Sequence, residues 1–168
     1  VRAMLEEFFE RAALVWPGGP PAPEELHEVV ILASLVEKET GDPSERARIA
    51  GVYANRLRRG MLLQADPTVI YGLGEDFDGN LKRAHLKDKA NPYNTYARTG
   101  LPPGPICSPG QAAIEAAANP EEHGYYYFVA KGDGSHHFST SLSEHNAAVA
   151  KYQLRRNRKT YRSTKTPQ

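Results

Sequence analysis

The longest apolar segment of the chain, VVILASLV at residues 29–36, is the feature that most restricts the fold. Pro23 and the two glutamates after it are typical of a first helical turn, since proline lacks a donor that this turn leaves unused and acids suit the positive helix end. The pattern predicts a helix from Pro23 to about Thr40. Because its centre is apolar nearly all round, the rest of the chain must cover it on every side.

Further helices are predicted from start signals in which a cap is followed by proline or by a capping box. In GDPSE, we expect Asp42 to cap the helix and Glu45 to complete the box, with Gly60 ending the helix. ADPTVIYG repeats the pattern with Asp66 as the cap, and SPGQ gives Ser108 the same role. SLSE predicts a last helix over about 142–157.

A small sheet accompanies these helices. YYYFVA and HHFST, on either side of KGDGS, predict a β-hairpin. Residues 74–107 are rich in Gly, Asn, Asp and Pro and are predicted to be mostly irregular, and so long a loop in a compact domain is usually functional. Helices combined with a small antiparallel sheet, without strand–helix–strand alternation, predict an α+β fold.

The length of 168 residues suits a single domain. We place it at 23–157, between an N-terminal helix with a Pro/Gly linker at 1–22 and a basic tail at 158–168. A solvated terminus or contact with an anionic polymer or membrane would each explain the tail. The single Cys107 excludes a disulfide within the chain. Because the chain starts at Val1 and shows no signal peptide, we expect a processed or excised piece of a longer protein.

Several classes of chemistry lack their motifs. The chain has neither a phosphate-binding G-x-x-x-x-G-K-[ST] loop nor a G-x-S-x-G elbow. His136 and His137 are adjacent, so on a strand they point to opposite faces and do not readily share a metal. The basic tail carries few aromatic residues for stacking on bases. We therefore expect no metal site, no cofactor and no nucleic-acid partner.

The candidate acids are Glu37 and Glu39, at the end of the apolar helix. Helical periodicity puts them on opposite flanks of the apolar face, and both being solvated and ion-paired is the alternative. A half-buried carboxyl has a raised pKa and can serve as a general acid near neutral pH. Asp66 is either a helix cap or a second carboxylate of a glycosidase. Gln64, in an otherwise apolar stretch, is expected to be a buried amide that a sugar group could bind.

The loop NPYNTYARTGLPPGP at 91–105 combines amides, tyrosines and rigid prolines. Carbohydrate grooves use aromatic faces for the pyranose ring and amides for its hydroxyls. Asn94 and Tyr96 are therefore candidate sugar-binding residues. A stiff loop also loses little conformational entropy on binding.

Four motifs in this order resemble one family: LASLVEKET, ERARIAGVYANRLRRGMLLQADPTVIYGLG, YNTYARTGLPPGPICSPG and YYYFVAKGDGSHHFS. They closely resemble the catalytic domain of the endolytic murein transglycosylases, the YceG-like family, over about residues 25–153. The resemblance implies a lytic transglycosylase that cleaves the β-1,4 bond between N-acetylmuramic acid and N-acetylglucosamine and leaves 1,6-anhydro ends. It implies Glu39 as the catalytic residue, with Glu37 supporting it, and Gln64, Asp66, Asn94 and Tyr96 positioning the sugars.

The resemblance also implies a setting. Family members act beside peptidoglycan synthases, limit the length of nascent glycan strands, and are held by an N-terminal helix in the bacterial inner membrane with the catalytic part outside the cytoplasm. No cofactor is implied. A peptidoglycan hydrolase with Asp66 activating water and a non-catalytic glycan-binding module are the alternative functions.

Overall fold

The computed structural model describes residues 10–11 and 13–154 of the chain. The predicted basic tail at 158–168 lies outside the described residues, as does most of the predicted N-terminal helix. Within the described part, residues 13–15 are helical and residues 17–22 contain neither helix nor strand. No helix among the described residues has the length and hydropathy needed to cross a membrane.

The part of the chain that the structure describes combines helices with a single two-stranded hairpin, so the predicted α+β class is confirmed. Short 3₁₀ turns lie at Pro43–Glu45 and Gly74–Asp76, and the last α-helix continues into a π-helical turn at Ala150–Leu154. The main elements are α1 (Pro23–Glu39), α2 (Arg46–Arg58), α3 (Asp66–Leu73), α4 (Arg83–Lys87), α5 (Gln111–Ala118), β1 (Tyr127–Ala130), β2 (His136–Ser139) and α6 (Leu142–Val149).

The central helix α1 is buried as predicted. All six residues from Ile31 to Val36 are buried, so every side of this segment is covered. Helices α5 and α2 supply most of the cover, and the small alanines of α5 allow that helix to lie close to α1. This packing fixes the position and direction of the C-terminal end of α1, where Glu39 lies.

Some predicted caps are wrong, because the side chains have other partners. Asp42 does cap the 3₁₀ turn, accepting a hydrogen bond from the Ser44 N–H at 3.0 Å. Glu45, however, closes no capping box; it accepts hydrogen bonds from His136, in β2. The N-cap of α5 is Gly110 rather than Ser108, and glycine has no side chain with which to cap that end. The predicted box that opens α6 is confirmed.

The hairpin is tied to α2 by side chains that reach its backbone. Strands β1 and β2 are antiparallel and place Phe128 opposite Phe138. The Asn55 amide donates to the carbonyls of His123 and Tyr125, both at 2.9 Å, ahead of β1. Because these bonds and the pairing are fixed, one face of the hairpin lies beside the C-terminal end of α1.

Candidate active site

An open groove with a volume of about 580 Å³ lies where the ends of several elements meet. The lining comes from the end of α1, from α2, from the segment before α3, from the hairpin and from α6. Tyr96, from the long loop, also lines the groove. The groove therefore combines residues that are distant in the sequence, and its polar members include Glu39, Tyr53, Arg56, Gln64, Asp66 and Tyr96.

Glu39, the last residue of α1, is half-buried in this groove. Its Oε1 accepts a hydrogen bond from the Tyr53 hydroxyl at 2.7 Å. Burial raises the pKa of Glu39 to about 7, assisted by the nearby negative charge of Asp66, while the Tyr53 hydrogen bond and Arg56 act in the opposite direction. Protonated and ionised Glu39 are therefore both well populated near neutral pH, as acid–base catalysis requires.

Glu37 lies outside the groove. Its Oε2 accepts a hydrogen bond from the Gly110 N–H at 3.2 Å, at the start of α5. The Glu37 side chain thus lies at the positive end of a neighbouring helix and contacts its backbone. Periodicity left the choice between Glu37 and Glu39 open, and the structure brings Glu39 and not Glu37 to the groove.

Tyr53 and Arg56 are about one turn apart on α2, and both line the groove. Tyr53 is 1% exposed and Arg56 is 7% exposed. Arg56 donates from Nε to the Tyr126 carbonyl at 2.6 Å and from Nη1 to the Leu63 carbonyl at 2.9 Å. Burial lowers the pKa of Arg56. This side chain joins the hairpin and the segment before α3 to a single helix.

Asp66 and Tyr96 form a second polar pair in the groove. The Tyr96 hydroxyl donates to Asp66 Oδ1 at 2.6 Å. Burial and the Asp66 carboxylate raise the pKa of Tyr96, so its hydroxyl keeps its proton. Asp66 does not cap α3; it is the first residue of that helix, and Ala65 is the N-cap. The predicted cap is therefore wrong, and the carboxylate is directed to the groove instead.

Gln64 enters the groove from a strained backbone position. Its φ of 54° lies in the left-handed region, which is unusual for a residue other than glycine. The backbone is held there by the Gln64 N–H, which donates to the Thr95 carbonyl at 3.1 Å. The expectation of a buried amide is wrong, because the side chain is exposed. Strain of this kind is often found at functional sites.

Asn94 is fully buried and is not among the residues that line the groove with Glu39. Its amide donates to the carbonyls of His85, Leu86 and Asp88, and its Oδ1 accepts from the Tyr96 N–H at 2.9 Å. These bonds use both ends of the amide. Asn94 therefore holds the loop and places Tyr96, and it is not available to bind sugar directly.

Some groove residues were missed in the sequence. The sequence patterns predicted no role for Tyr53 or Arg56, and the structure shows both to be buried residues of α2. Arg56 gave a usable signal, because a charged residue three positions from a buried tyrosine lies on the same side of a helix. His136 and His145 gave no such signal. They reach the groove only because the hairpin and α6 fold back over α2.

Among the described residues, no three His, Cys, Asp or Glu side chains are close enough together to hold a metal ion. The groove contains the carboxyl groups of Glu39 and Asp66, each bonded to a tyrosine hydroxyl. The fold and the groove define an α+β domain with a candidate acid–base site.

Comparison with known sequences identifies the family. Residues 1–151 match the YceG-like family, and the chain belongs to that family. A protein of Bacillus subtilis named endolytic murein transglycosylase is 43% identical over 134 residues, which cover 80% of this chain and 37% of that protein. A protein of the same name from Streptococcus pneumoniae is 37% identical over 134 residues, which cover 76% of this chain and 24% of that protein.

A solved structure is also similar. A YceG-like protein of Listeria monocytogenes aligns with a TM-score of 0.65 and 43% identity, over 72% of this chain and 38% of that one. This chain therefore spans well under half the length of the relatives that it matches.

Proposed function

We propose that the chain carries a peptidoglycan lytic transglycosylase activity with Glu39 as its catalytic acid and base. The observation that carries the proposal is the half-buried carboxyl of Glu39, with a pKa of about 7, in an open polar groove. The names of the relatives from Bacillus subtilis and Streptococcus pneumoniae support the same activity. The proposed substrate is the glycan strand of peptidoglycan.

In the first step, protonated Glu39 donates its proton to the oxygen of the β-1,4 bond that leaves N-acetylmuramic acid C1. The bond from C1 to that oxygen then breaks. In the second step, the Glu39 carboxylate takes the proton of the muramic acid 6-hydroxyl, and O6 bonds to C1 to close a 1,6-anhydro ring. The carboxyl returns to its protonated form, and no water is consumed. A single group suffices because it changes role between the steps.

The neighbours of Glu39 suit both steps. The Tyr53 hydroxyl holds one carboxylate oxygen at 2.7 Å, which leaves the other oxygen for the sugar. Arg56 favours the ionised form of Glu39 that exists between the two steps. We propose that Gln64, Asp66 and Tyr96 position the sugar and acetamido groups, since all three line the groove. For Glu37 and Asn94 the geometry supports roles in holding α5 and the loop.

A hydrolase is the second candidate, favoured by the exposed Asp66 carboxylate in the same groove. In an inverting glycosidase, such a carboxylate activates the water that attacks C1. Here the Tyr96 hydroxyl occupies one Asp66 oxygen and leaves the other one available. The two reactions give different ends: hydrolysis leaves a reducing end, and transglycosylation leaves an anhydro end that is lighter by one water molecule.

The deciding experiment is digestion of purified glycan strands by the 168-residue chain, followed by mass spectrometry of the ends. We expect 1,6-anhydro-muramic ends and no uptake of isotope from labelled water. Glu39→Gln should abolish them, whereas Glu37→Gln, whose side chain lies outside the groove, should keep the reaction. Reducing ends carrying the isotope would establish the hydrolase. Strand binding without product from the wild type would establish a glycan-binding module.

The cellular setting is also a proposal. We propose that the domain acts on the outer side of the bacterial cell membrane, since its substrate is assembled there, and that it shortens nascent strands beside the peptidoglycan synthases. An N-terminal membrane anchor belongs to the same proposal. Fractionation of cells that carry the full-length protein, with antibody to this domain and protease added from outside, would test the location.

A further inference from the structure

A buried carboxylate–imidazole pair lies beside the proposed site and has no part in the reaction described above. Glu45 is 8% exposed and His136 is 6% exposed. Glu45 Oε1 accepts from the His136 backbone N–H at 2.9 Å, and Glu45 Oε2 lies 2.7 Å from His136 Nδ1. The pair joins the start of α2 to β2, and its ring lines the groove that contains Glu39.

The carboxylate determines which ring nitrogen carries a proton. Because an ionised carboxylate only accepts hydrogen bonds, Nδ1 must be the donor to Glu45. In the neutral ring, Nε2 then bears a lone pair and is an acceptor. Among the described residues, Nε2 has no hydrogen-bond partner, and it is not one of the polar atoms sealed from solvent. A nearly buried side chain thus presents one unused acceptor to the groove.

The ring is also held in orientation by its aromatic neighbours. Phe128 lies edge-to-face with it, with ring centroids 5.5 Å apart and planes at 85°. Phe138 packs nearby, at 6.4 Å between centroids. With Nδ1 bonded to Glu45 and the faces packed, the imidazole has little freedom to turn. An acceptor that is already oriented loses little entropy when a ligand binds.

The groove also contains carboxylate oxygens on Glu39 and Asp66 and the exposed amide of Gln64, while Arg56 has only donors. His136 differs from these groups because its ring is nearly buried and is held in place by Glu45. A glycan strand presents several hydroxyl donors and, on each acetamido group, an N–H donor. An acceptor nitrogen that is held in one orientation would complement these donors.

We propose that His136 is a sugar-binding residue that accepts a hydrogen bond, through Nε2, from a hydroxyl or acetamido N–H of the glycan, with Glu45 as its positioning residue. The proposal rests on glycan being the ligand of this groove. It assigns His136 to binding and not to proton transfer.

Two substitutions separate binding from support of the fold. In His136→Asn the amide nitrogen replaces Nδ1, so the bond to Glu45 is kept and the group at the Nε2 position is lost. In His136→Gln the amide reaches the Nε2 position, and the side-chain bond to Glu45 is lost. Binding of peptide-free glycan strands is measured by calorimetry in the Glu39→Gln background, where turnover cannot interfere, and each variant is also melted.

We expect His136→Asn to weaken strand binding about five- to tenfold, the loss of one hydrogen bond, and to melt within about 3 °C of its parent. His136→Gln should melt roughly 5 °C lower, because a charge-assisted bond is lost, yet bind more tightly than His136→Asn. Affinity and melting temperature falling in the same order in both variants would make His136 a purely structural residue and overturn the proposal.

The parent protein separates this proposal from the catalytic one. If Glu39→Gln binds strands but the wild type makes no anhydro ends, the catalytic proposal fails and the histidine comparison still decides the binding role. If the wild type makes anhydro ends but the two histidine variants bind equally to their parent, the His136 proposal alone fails. A parent that binds no strands overturns the His136 proposal.

Discussion

At position 39, a carboxyl group is held between opposing influences. Burial disfavours the charge, whereas the Tyr53 hydroxyl and the Arg56 guanidinium favour it, and burial is the largest effect on the pKa. The balance at a pKa of about 7 keeps both forms populated. Removing one of these influences should therefore change the pKa of Glu39 in a known direction. Substitutions at and around this residue are the most direct test of the site.

Replacing Glu39 by Gln should stabilise the fold at alkaline pH. Since the folded pKa of Glu39 is raised from 4.5 to about 7, its favourable contribution is complete below 4.5 and is lost as the pH rises through 7. Above 7 the wild type buries a charge that Gln lacks. We expect Glu39→Gln to be more stable at pH 8 by about 1 to 3 kcal/mol, with little difference at pH 4. Thermal melts across this range would measure it.

The matched control is Glu28→Gln, an exposed glutamate on the same helix. Its stability difference from wild type should vary little with pH. A gain in Glu39→Gln that is the same at pH 4 and pH 8 would contradict a raised pKa at position 39.

Replacing Tyr53 by Phe should move the alkaline limb of the cleavage profile to higher pH. The lost hydrogen bond stabilised the ionised form of Glu39, so its pKa rises and the protonated acid persists further. The shift should be about one pH unit, the equivalent of one charge-assisted bond. Rates of strand cleavage from pH 5 to 9 would measure it. The control is Tyr71→Phe, at an exposed position on α3, which should leave the alkaline limb unchanged. An alkaline limb that does not move in Tyr53→Phe would contradict the assignment of Glu39 as the catalytic acid.

Replacing Tyr96 by Ala should weaken glycan binding more than it destabilises the fold. The ring lines the groove and is half-buried, and its hydroxyl bonds the exposed Asp66 rather than a core group. We expect about a tenfold loss of affinity, within the range of an aromatic contact plus a hydrogen bond. Calorimetry and thermal melts on the same samples would compare the two effects. Comparable losses in both would make Tyr96 a packing residue.

At the scale of elements, the approach of α2 to the segment before the hairpin depends on one glycine. A Cβ at Gly51 would overlap the carbonyl oxygen of Glu121 and lie 2.5 Å from His123 Nε2. The same segment accepts hydrogen bonds from Asn55 and contacts Arg48. The hairpin can therefore reach the groove only if this face of the helix has no side chain at position 51.

Gly51→Ala should destabilise the protein, although alanine favours helices over glycine by about 1 kcal/mol. The new Cβ would overlap the backbone of Glu121, so the segment before the hairpin would have to move. Overpacking of this kind typically costs about 1 to 3 kcal/mol, which opposes the gain in helix propensity. Denaturant unfolding would measure the net loss. Gly124→Ala is the matched control, because a Cβ there meets no atom within 4 Å among the described residues. Equal stability of the two variants would refute the close approach.

The positions of several helices and strands could be predicted from the sequence, whereas the partners of some side chains could not. The predicted helix start at Pro23 and the capping box at Ser141 agree with the structure. The hairpin predicted from YYYFVA and HHFST is also present, with strands at Tyr127–Ala130 and His136–Ser139. Glu45 and Asp66 were assigned to caps, yet each has a partner elsewhere. A cap is worth about 1 kcal/mol, and a bond to a charged group about 1.5 to 3. When a tertiary partner is present, the local rule is therefore overridden.

At the scale of the whole molecule, the groove is assembled from segments that are distant in the sequence. Glu39 comes from α1, Asp66 from the start of α3, Tyr96 from the loop and His136 from the hairpin. Arg56 and Asn55 join several of these segments to α2. Ligand binding should therefore stabilise all of the contributing segments together.

Hydrogen exchange should show this joint effect. With Glu39→Gln and excess glycan strands, we expect slower exchange at 36–40, 63–67, 94–97 and 128–137, because binding to the folded state alone raises the free energy of opening. A hundredfold excess of ligand over its dissociation constant corresponds to about 2.7 kcal/mol. The exposed face of α5 is the internal control. Protection confined to one segment would contradict a shared groove.

The sequence by itself determined the buried central helix, the predicted starts of α1 and α6, the hairpin and the α+β class, because apolar periodicity and turn residues act over a few neighbouring positions. Only the tertiary structure decided that Glu39 rather than Glu37 enters the groove, that Asp66 bonds Tyr96, and that Glu45 bonds His136. A carboxylate has several partners of similar strength, and which one it meets depends on distant segments that packing brings together.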